Sequence, residues 1–171
     1  DKVLCSFATH IYPEGQGVRN DLMRFGITSK PLKVIANGNA NGIDTNLYDP
    51  ENVSETERSN LRAEWKISPD DFVFIFVGRL VNDKGIRELV KAFSGLSERH
   101  PKAKLLLLGR FESELDPIDA ETLKTIETHP KIIAAGYQTD VRKFLSIADV
   151  FVLPSYREVF PKVVMQAGAM G

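Results

Sequence analysis

Arg79 and Lys84 stand in the segment Val77-Gly78-Arg79-Leu80-Val81-Asn82-Asp83-Lys84-Gly85-Ile86, between the end of an apolar run and the start of a helical pattern. An arginine makes a forked, charge-assisted contact with phosphate oxygens, and a lysine adds a point charge. Gly78 lets the backbone approach a ligand closely. Gly85 falls where the first N–H groups of a helix lack partners. Together these residues would hold a diphosphate. The alternative is that Arg79 and Lys84 are solvated loop charges, one of them paired with Asp83. Position at the carboxyl end of a buried strand favours the first reading, because open α/β sheets bind ligands there.

A second constellation closes the chain. The apolar stretch Val150-Phe151-Val152-Leu153 enters a Pro154-Ser155 turn, Glu158 follows, and a helical pattern begins at about Lys162. A carboxylate at a sheet edge accepts hydrogen bonds from sugar hydroxyls, and the positive end of a helix suits a phosphate. The alternative for Glu158 is a surface pair with Arg157. In Leu108-Gly109-Arg110-Phe111-Glu112-Ser113-Glu114, Gly109 is expected to make a tight turn and the charges to be solvated rather than catalytic. In Gly136-Tyr137-Gln138-Thr139-Asp140, the ring of Tyr137 can stack on a nucleobase, and Asp140 is expected to cap the next helix. Other chemistries find no support. His10, His100 and His129 are scattered, without zinc spacing. There is no Gly-Lys-Ser/Thr phosphate loop and no Gly-x-Gly-x-x-Gly motif. Ser155 lacks the setting of a nucleophile elbow.

The elements that must position these residues alternate from Phe72 onward. Phe72–Val77 and Lys104–Leu108 are continuous apolar runs, as expected of strands covered on both faces. Ile132–Ala135, ended by Gly136, and Val150–Leu153 read as further strands. Between them lie helices. One runs from Gly85 to about His100, with Ile86, Leu89, Val90, Phe93 and Leu96 on one face. Another runs from Asp119, a candidate N-cap, to about Thr128. A third runs from Asp140 to about Ile147, with Val141, Phe144, Leu145 and Ala148 inward. Such alternation predicts an α/β fold with a parallel sheet and right-handed crossovers. In the first third, Val3–Phe7 and Lys33–Ala36 read as strands, 18–25 as a helix closed by Gly26, and Asn37–Gly42 as a turn-rich loop. Ser54 to about Lys66 reads as a surface helix with Leu61 and Trp65 inward. The break near Ser29-Lys30-Pro31 is a candidate domain boundary.

Composition narrows the partners. A length of 171 residues suits one domain-sized core. A net charge of -1, from 22 basic and 23 acidic residues, argues against a nucleic-acid binder. The one cysteine, Cys5, excludes an internal disulfide, fits a reducing compartment, and reads as a small buried residue. No apolar run is long enough to cross a bilayer, and no signal peptide is seen. The chain starts without Met and stops inside a helix, so a cut from something longer is expected.

Taken together, these segments resemble the family 4 retaining glycosyltransferases of the two-Rossmann-domain (GT-B) architecture. The likeness is carried by Val77-Gly78-Arg79 with Lys84-Gly85, by Gly136-Tyr137-Gln138-Thr139-Asp140-Val141, by Ala148 to Ser155, and by Glu158 onward. Asn41-Gly42-Ile43-Asp44 matches the entry to the family's carboxyl-terminal domain. The phrases Gly-Tyr-Gln-x-Asp-Val-Arg and Pro-Ser-Tyr-Arg-Glu are closest to the subgroup that builds bacterial capsular and other surface polysaccharides.

The resemblance implies that residues 34–171 are an incomplete Rossmann-like, nucleotide-sugar-binding domain, and residues 1–33 the tail of an acceptor-binding domain. It implies that Arg79 and Lys84 bind the donor diphosphate, with Gly78 and Tyr137 beside them, and stabilise charge as the nucleoside diphosphate leaves. Glu158 would contact the donor sugar, helped by backbone N–H groups of Val159 and Phe160. No metal and no cofactor would be needed. The acceptor would be a lipid-linked saccharide held by the missing domain. The full enzyme is expected in the cytoplasm, touching the inner membrane peripherally, and the fragment alone is expected to be inactive. Two positions depart from the family. Gln166 stands where a second glutamate binds the ribose, and its amide carbonyl still accepts a hydroxyl. Val159 stands where glycine is usual. These departures keep a rival open, a non-catalytic sugar-nucleotide-binding module. A sugar-nucleotide epimerase of similar fold is the other rival.

Overall fold

The computed structural model describes residues 1–36, 38, 42–112, 114 and 116–171. Its contacts divide the chain into two units, Asp1–Ile43 with Glu158–Lys162, and Asp44–Arg157 with Val163–Gly171. Asn37, Asn39, Ala40, Asn41 and Ser113, parts of the expected Asn37–Gly42, Asn41–Asp44 and Leu108–Glu114 loops, lie outside the described residues, as does Leu115.

The first unit holds two helices, α1 (Lys2–Phe7) and α2 (Gln16–Arg24). α1 corrects the expected strand over Val3–Phe7. Cys5 is its buried residue, while Val3, Leu4 and Phe7 are exposed. Its carboxyl end is held from far along the chain. Lys30 Nζ donates to the carbonyls of Cys5 at 3.0 Å, Ser6 at 2.6 Å and Ala8 at 2.7 Å. A cation there satisfies carbonyls that a helix end leaves unpaired. The strand expected over Lys33–Ala36 is also absent. Leu32 forms only an isolated parallel bridge with Ile11, which leaves residues 33–36 without a ladder.

The second unit is built on alternation. β1 (Phe72–Val77) and β2 (Ala103–Leu108) run parallel, with Phe72 opposite Ala103 and Val77 opposite Leu108. Successive side chains on a strand point to opposite faces. Val73, Ile75, Leu106 and Leu108 therefore fill one face, and Phe76, Leu105 and Leu107 the other. β3 (Ile132–Gly136) pairs with β2, and β4 (Val150–Phe151) with β1, giving the all-parallel order β3-β2-β1-β4. β4 is shorter than the Val150–Leu153 run, although Val152 still donates its N–H to Ile75 at 2.8 Å. Asp149 fixes its start, since its carboxylate accepts from the Val73 N–H at 2.7 Å.

Helices cover both faces. α3 (Glu55–Glu64) starts with a capping box, in which Ser54 Oγ accepts from the Glu57 N–H and Glu57 accepts from the Ser54 N–H. Its Leu61, with Trp65 just beyond, packs against the first face, as do Phe144 and Leu145 of α6 (Arg142–Leu145) and Ala167 of α7 (Lys162–Ala169). α4 (Ile86–Arg99) and α5 (Ala120–Thr128) cover the second, through Ile86, Leu89, Val90, Phe93 and Ile126. Asp119 caps α5 as expected, accepting from the Thr122 N–H at 2.8 Å. α6 is shorter than the expected 140–147. Asp140 accepts from the Arg142 N–H at 3.1 Å and is forked by the Arg142 guanidinium at 2.8 and 2.7 Å, so the helix begins only after that turn.

His129 sits where α5 turns into β3. Its Nδ1 accepts from the Lys131 N–H at 3.2 Å, and its Nε2 lies 3.3 Å from Ser97 Oγ. Burial, with the nearby Lys131 charge, pushes the imidazole pKa below its ordinary value. The unfolded chain therefore takes up the proton first. Stability is full above a pH of about 6.5 and falls as the pH drops through that value. Thermal melts between pH 8 and 5.5 are expected to show this loss, and His129→Gln to flatten it. An unchanged slope in the variant would count against the assignment.

Candidate functional site

The strand order places a topological switch point between β1 and β4. From β1 the chain steps outward to β2 and β3, then returns to the other side of β1. Ligands in open α/β sheets bind outside the carboxyl ends of strands at such a point. Gly78 and Arg79 leave β1 there, and Pro154 to Arg157 follow β4.

Close backbone approach shapes this end of the sheet. Gly85 has φ 68°, and a Cβ added to it would collide with the carbonyl of Pro154. Only glycine meets both conditions without strain. The turn Asn82–Lys84 is thereby seated against the segment after β4, and the Tyr156 N–H donates to the Asp83 carbonyl at 3.0 Å. Asp116 holds the same turn. Its carboxylate accepts from the Asp83 N–H at 2.6 Å, and its carbonyl accepts from the Asn82 N–H at 3.3 Å. Lys84, the last residue of this turn, is half-buried. The Asp83 carboxylate lies 3.8 Å from Arg157.

Gly78, Arg79 and Tyr137 line one cavity of about 390 Å³, together with Gly109, Arg110 and Glu112. Glycines stand at or just after the ends of β1, β2 and β3, and Gly78 and Gly109 line the cavity. The Gly78 N–H donates to Leu108 at 2.9 Å, and the Gly109 N–H to Gly136 at 2.8 Å. Tyr137 is exposed, and the Arg110 guanidinium lies 4.4 Å from its ring centroid. Arg79 is also exposed, and its Nη1 lies 2.9 Å from Glu112 Oε2. The charges after Gly109 stay at or near the surface, as expected, but they are not without partners: Glu112 faces Arg79 and Arg110 faces Tyr137. The cavity thus offers cationic nitrogens, an aromatic ring and bare backbone, a set suited to a nucleotide's phosphates and base.

Gln166 is on α7, where its Nε2 donates to the Tyr48 hydroxyl at 2.6 Å. That contact leaves the amide carbonyl as the acceptor. Glu158, Val159 and Phe160 are grouped with residues 1–43 and are exposed. Within that unit, a Cβ built on Gly15 would lie 3.4 Å from Val159 Cγ1. Among the described residues, no group of three or more His, Cys, Asp and Glu side chains is placed to hold a metal ion, and no helix is long and apolar enough to cross a membrane.

Sequence reasoning missed Glu112 and Asp116. Both follow β2, so their place after an apolar run ending in glycine was the available signal. Their partners, Arg79 and Asp83, lie more than thirty residues away.

The family model described as "Glycosyl transferases group 1" matches residues 57–171. The capsular polysaccharide biosynthesis glycosyltransferase CapM of Staphylococcus aureus is 28% identical over 171 residues, covering 99% of this chain and 43% of CapM. The lipopolysaccharide 1,2-N-acetylglucosaminetransferase of Salmonella typhimurium is 31% identical over 134 residues, 74% of this chain and 35% of that protein. This chain therefore spans less than half the length of these relatives. Among solved structures, Anabaena Alr3699/HepE in complex with UDP-glucose superposes with a TM-score of 0.79 at 23% identity, covering 98% of this chain and 44% of that one.

Proposed function

The chain belongs to the group 1 glycosyl transferases, and from that premise we propose that its second unit is the nucleotide-sugar-binding part of a family 4 retaining enzyme. The unit has the α/β, Rossmann-like parallel sheet of a GT-B carboxyl-terminal half. In this reading the whole enzyme moves a sugar from a nucleoside diphosphate to a lipid-linked saccharide in capsule or other surface-polysaccharide synthesis. It works in the cytoplasm, peripheral to the inner membrane. The relatives that build capsular polysaccharide and lipopolysaccharide support that setting.

The observation that carries the reading is Arg79, which leaves β1 at the switch point and lines a cavity of about 390 Å³ together with Tyr137. Arg79 and Lys84 bind the diphosphate and stabilise the charge that grows as the sugar–phosphate bond breaks. They carry this charge without a metal. The cavity takes the base and ribose near Tyr137, and Gln166 offers its carbonyl to a hydroxyl. Glu158 contacts the donor sugar, with the backbone N–H groups of Val159 and Phe160.

Transfer needs donor and acceptor held in one geometry. The full-length protein is therefore expected to transfer sugar with retention at the anomeric carbon, and this chain alone to show no turnover. Proton NMR of the product reads the anomeric configuration. An inverted product refutes the retaining mechanism, and turnover by this chain refutes its incompleteness. A full-length protein that binds donor but transfers nothing favours the non-catalytic module.

A further inference from the structure

We propose that Glu112 is a built-in competitor for Arg79: it holds the guanidinium while the site is empty, and a diphosphate must displace it. The proposal rests on the assignment of Arg79 to the donor diphosphate.

The pairing follows from the backbone. β1 and β2 are in register up to Val77 and Leu108. Beyond them the ladder continues, because the Leu80 N–H donates to the Arg110 carbonyl at 2.9 Å and Leu80 bridges Phe111 in parallel. The two segments after the strands therefore run side by side, and Arg79 is brought to Glu112.

The contact is a single point, Nη1 to Oε2 at 2.9 Å. A carboxylate that served to orient the guanidinium would engage it through both oxygens in a fork. Here the rest of the guanidinium fork stays available to another anion. The side chains are 53% exposed for Arg79 and 31% for Glu112, so water screens the pair. Pairs of this kind change an equilibrium by about two- to fivefold. A diphosphate brings more charge than one carboxylate, and several acceptor oxygens. It wins the exchange, whereas a small monoanion gains little.

Two consequences follow for the reaction. Glu112 makes the site selective for diphosphates over weaker anions. It also retakes Arg79 after the sugar has gone, which speeds release of the nucleoside diphosphate, a step that limits many enzymes.

The test is a titration of the wild-type chain, Glu112→Gln and Glu112→Ala with UDP and with inorganic pyrophosphate, repeated in an Arg79→Ala background. Circular dichroism confirms that each variant is folded. Both Glu112 variants are expected to bind about two- to fivefold more tightly, to release UDP more slowly in stopped flow, and to lose the gain when Arg79 is absent. Weaker or unchanged binding in Glu112→Ala, with Arg79-dependent binding in the wild type, overturns the proposal and leaves the donor assignment standing. Failure of all three folded proteins to bind either probe overturns both.

Discussion

Arg79→Ala is expected to lower the affinity of this chain for UDP by roughly tenfold to a hundredfold, with the melting temperature nearly unchanged. A hydrogen bond to a charged group contributes about 1.5–3 kcal/mol, and arginine supplies it as a fork. The structural cost is small because Arg79 is exposed and its ion pair with Glu112 is screened. Arg79→Lys restores the charge without the fork, so it is expected to recover only part of the affinity. Calorimetry with UDP reads all three proteins. Unchanged affinity in folded Arg79→Ala would remove Arg79 from the site.

Gly109→Ala is expected to be the most destabilising conservative change near the site. Gly109 has φ 150°, and a Cβ there would overlap the carbonyl of Gly78. Strain and overpacking of this kind cost about 2–4 kcal/mol, which lowers Tm by roughly 5–15 °C in a chain of this size. Relief requires the ends of β1 and β2 to part. Those ends are tied by the Gly78 N–H to Leu108 and the Leu80 N–H to Arg110, each at 2.9 Å. Separating them moves Arg79, so UDP binding should fall even where the variant is folded. A melt within a degree or two of wild type would show that the strand ends are looser than the structure has them.

How legible each element was in the sequence depended on where its hydrogen bonds and burial come from. Phe72–Val77 and Lys104–Leu108 were readable because strands buried on both faces must be apolar throughout. The face of α4 was readable because Ile86, Leu89, Val90 and Phe93 follow the helical period. Val3–Phe7 was not, because a short apolar run fits helix and strand alike. There the decision is made by Lys30, whose ammonium reaches carbonyls at the end of α1. Lys33–Ala36 had strand-like residues but no neighbour to pair with beyond Leu32. In the site, Gly78, Arg79 and Tyr137 were picked out by their place after apolar runs, and the structure puts them on one cavity. Glu112 and Asp116 follow an apolar run too, but their contacts are with partners more than thirty residues away, which no local pattern encodes.

The central claim is that the second unit holds a nucleoside-diphosphate site at the carboxyl end of β1, around Arg79. Calorimetric titration of this chain with UDP, GDP and their common sugar conjugates tests it most directly. The account predicts saturable binding of one of the two diphosphates, with its sugar conjugate bound through the same site and competing with it. Folded protein that takes up none of these ligands would contradict it.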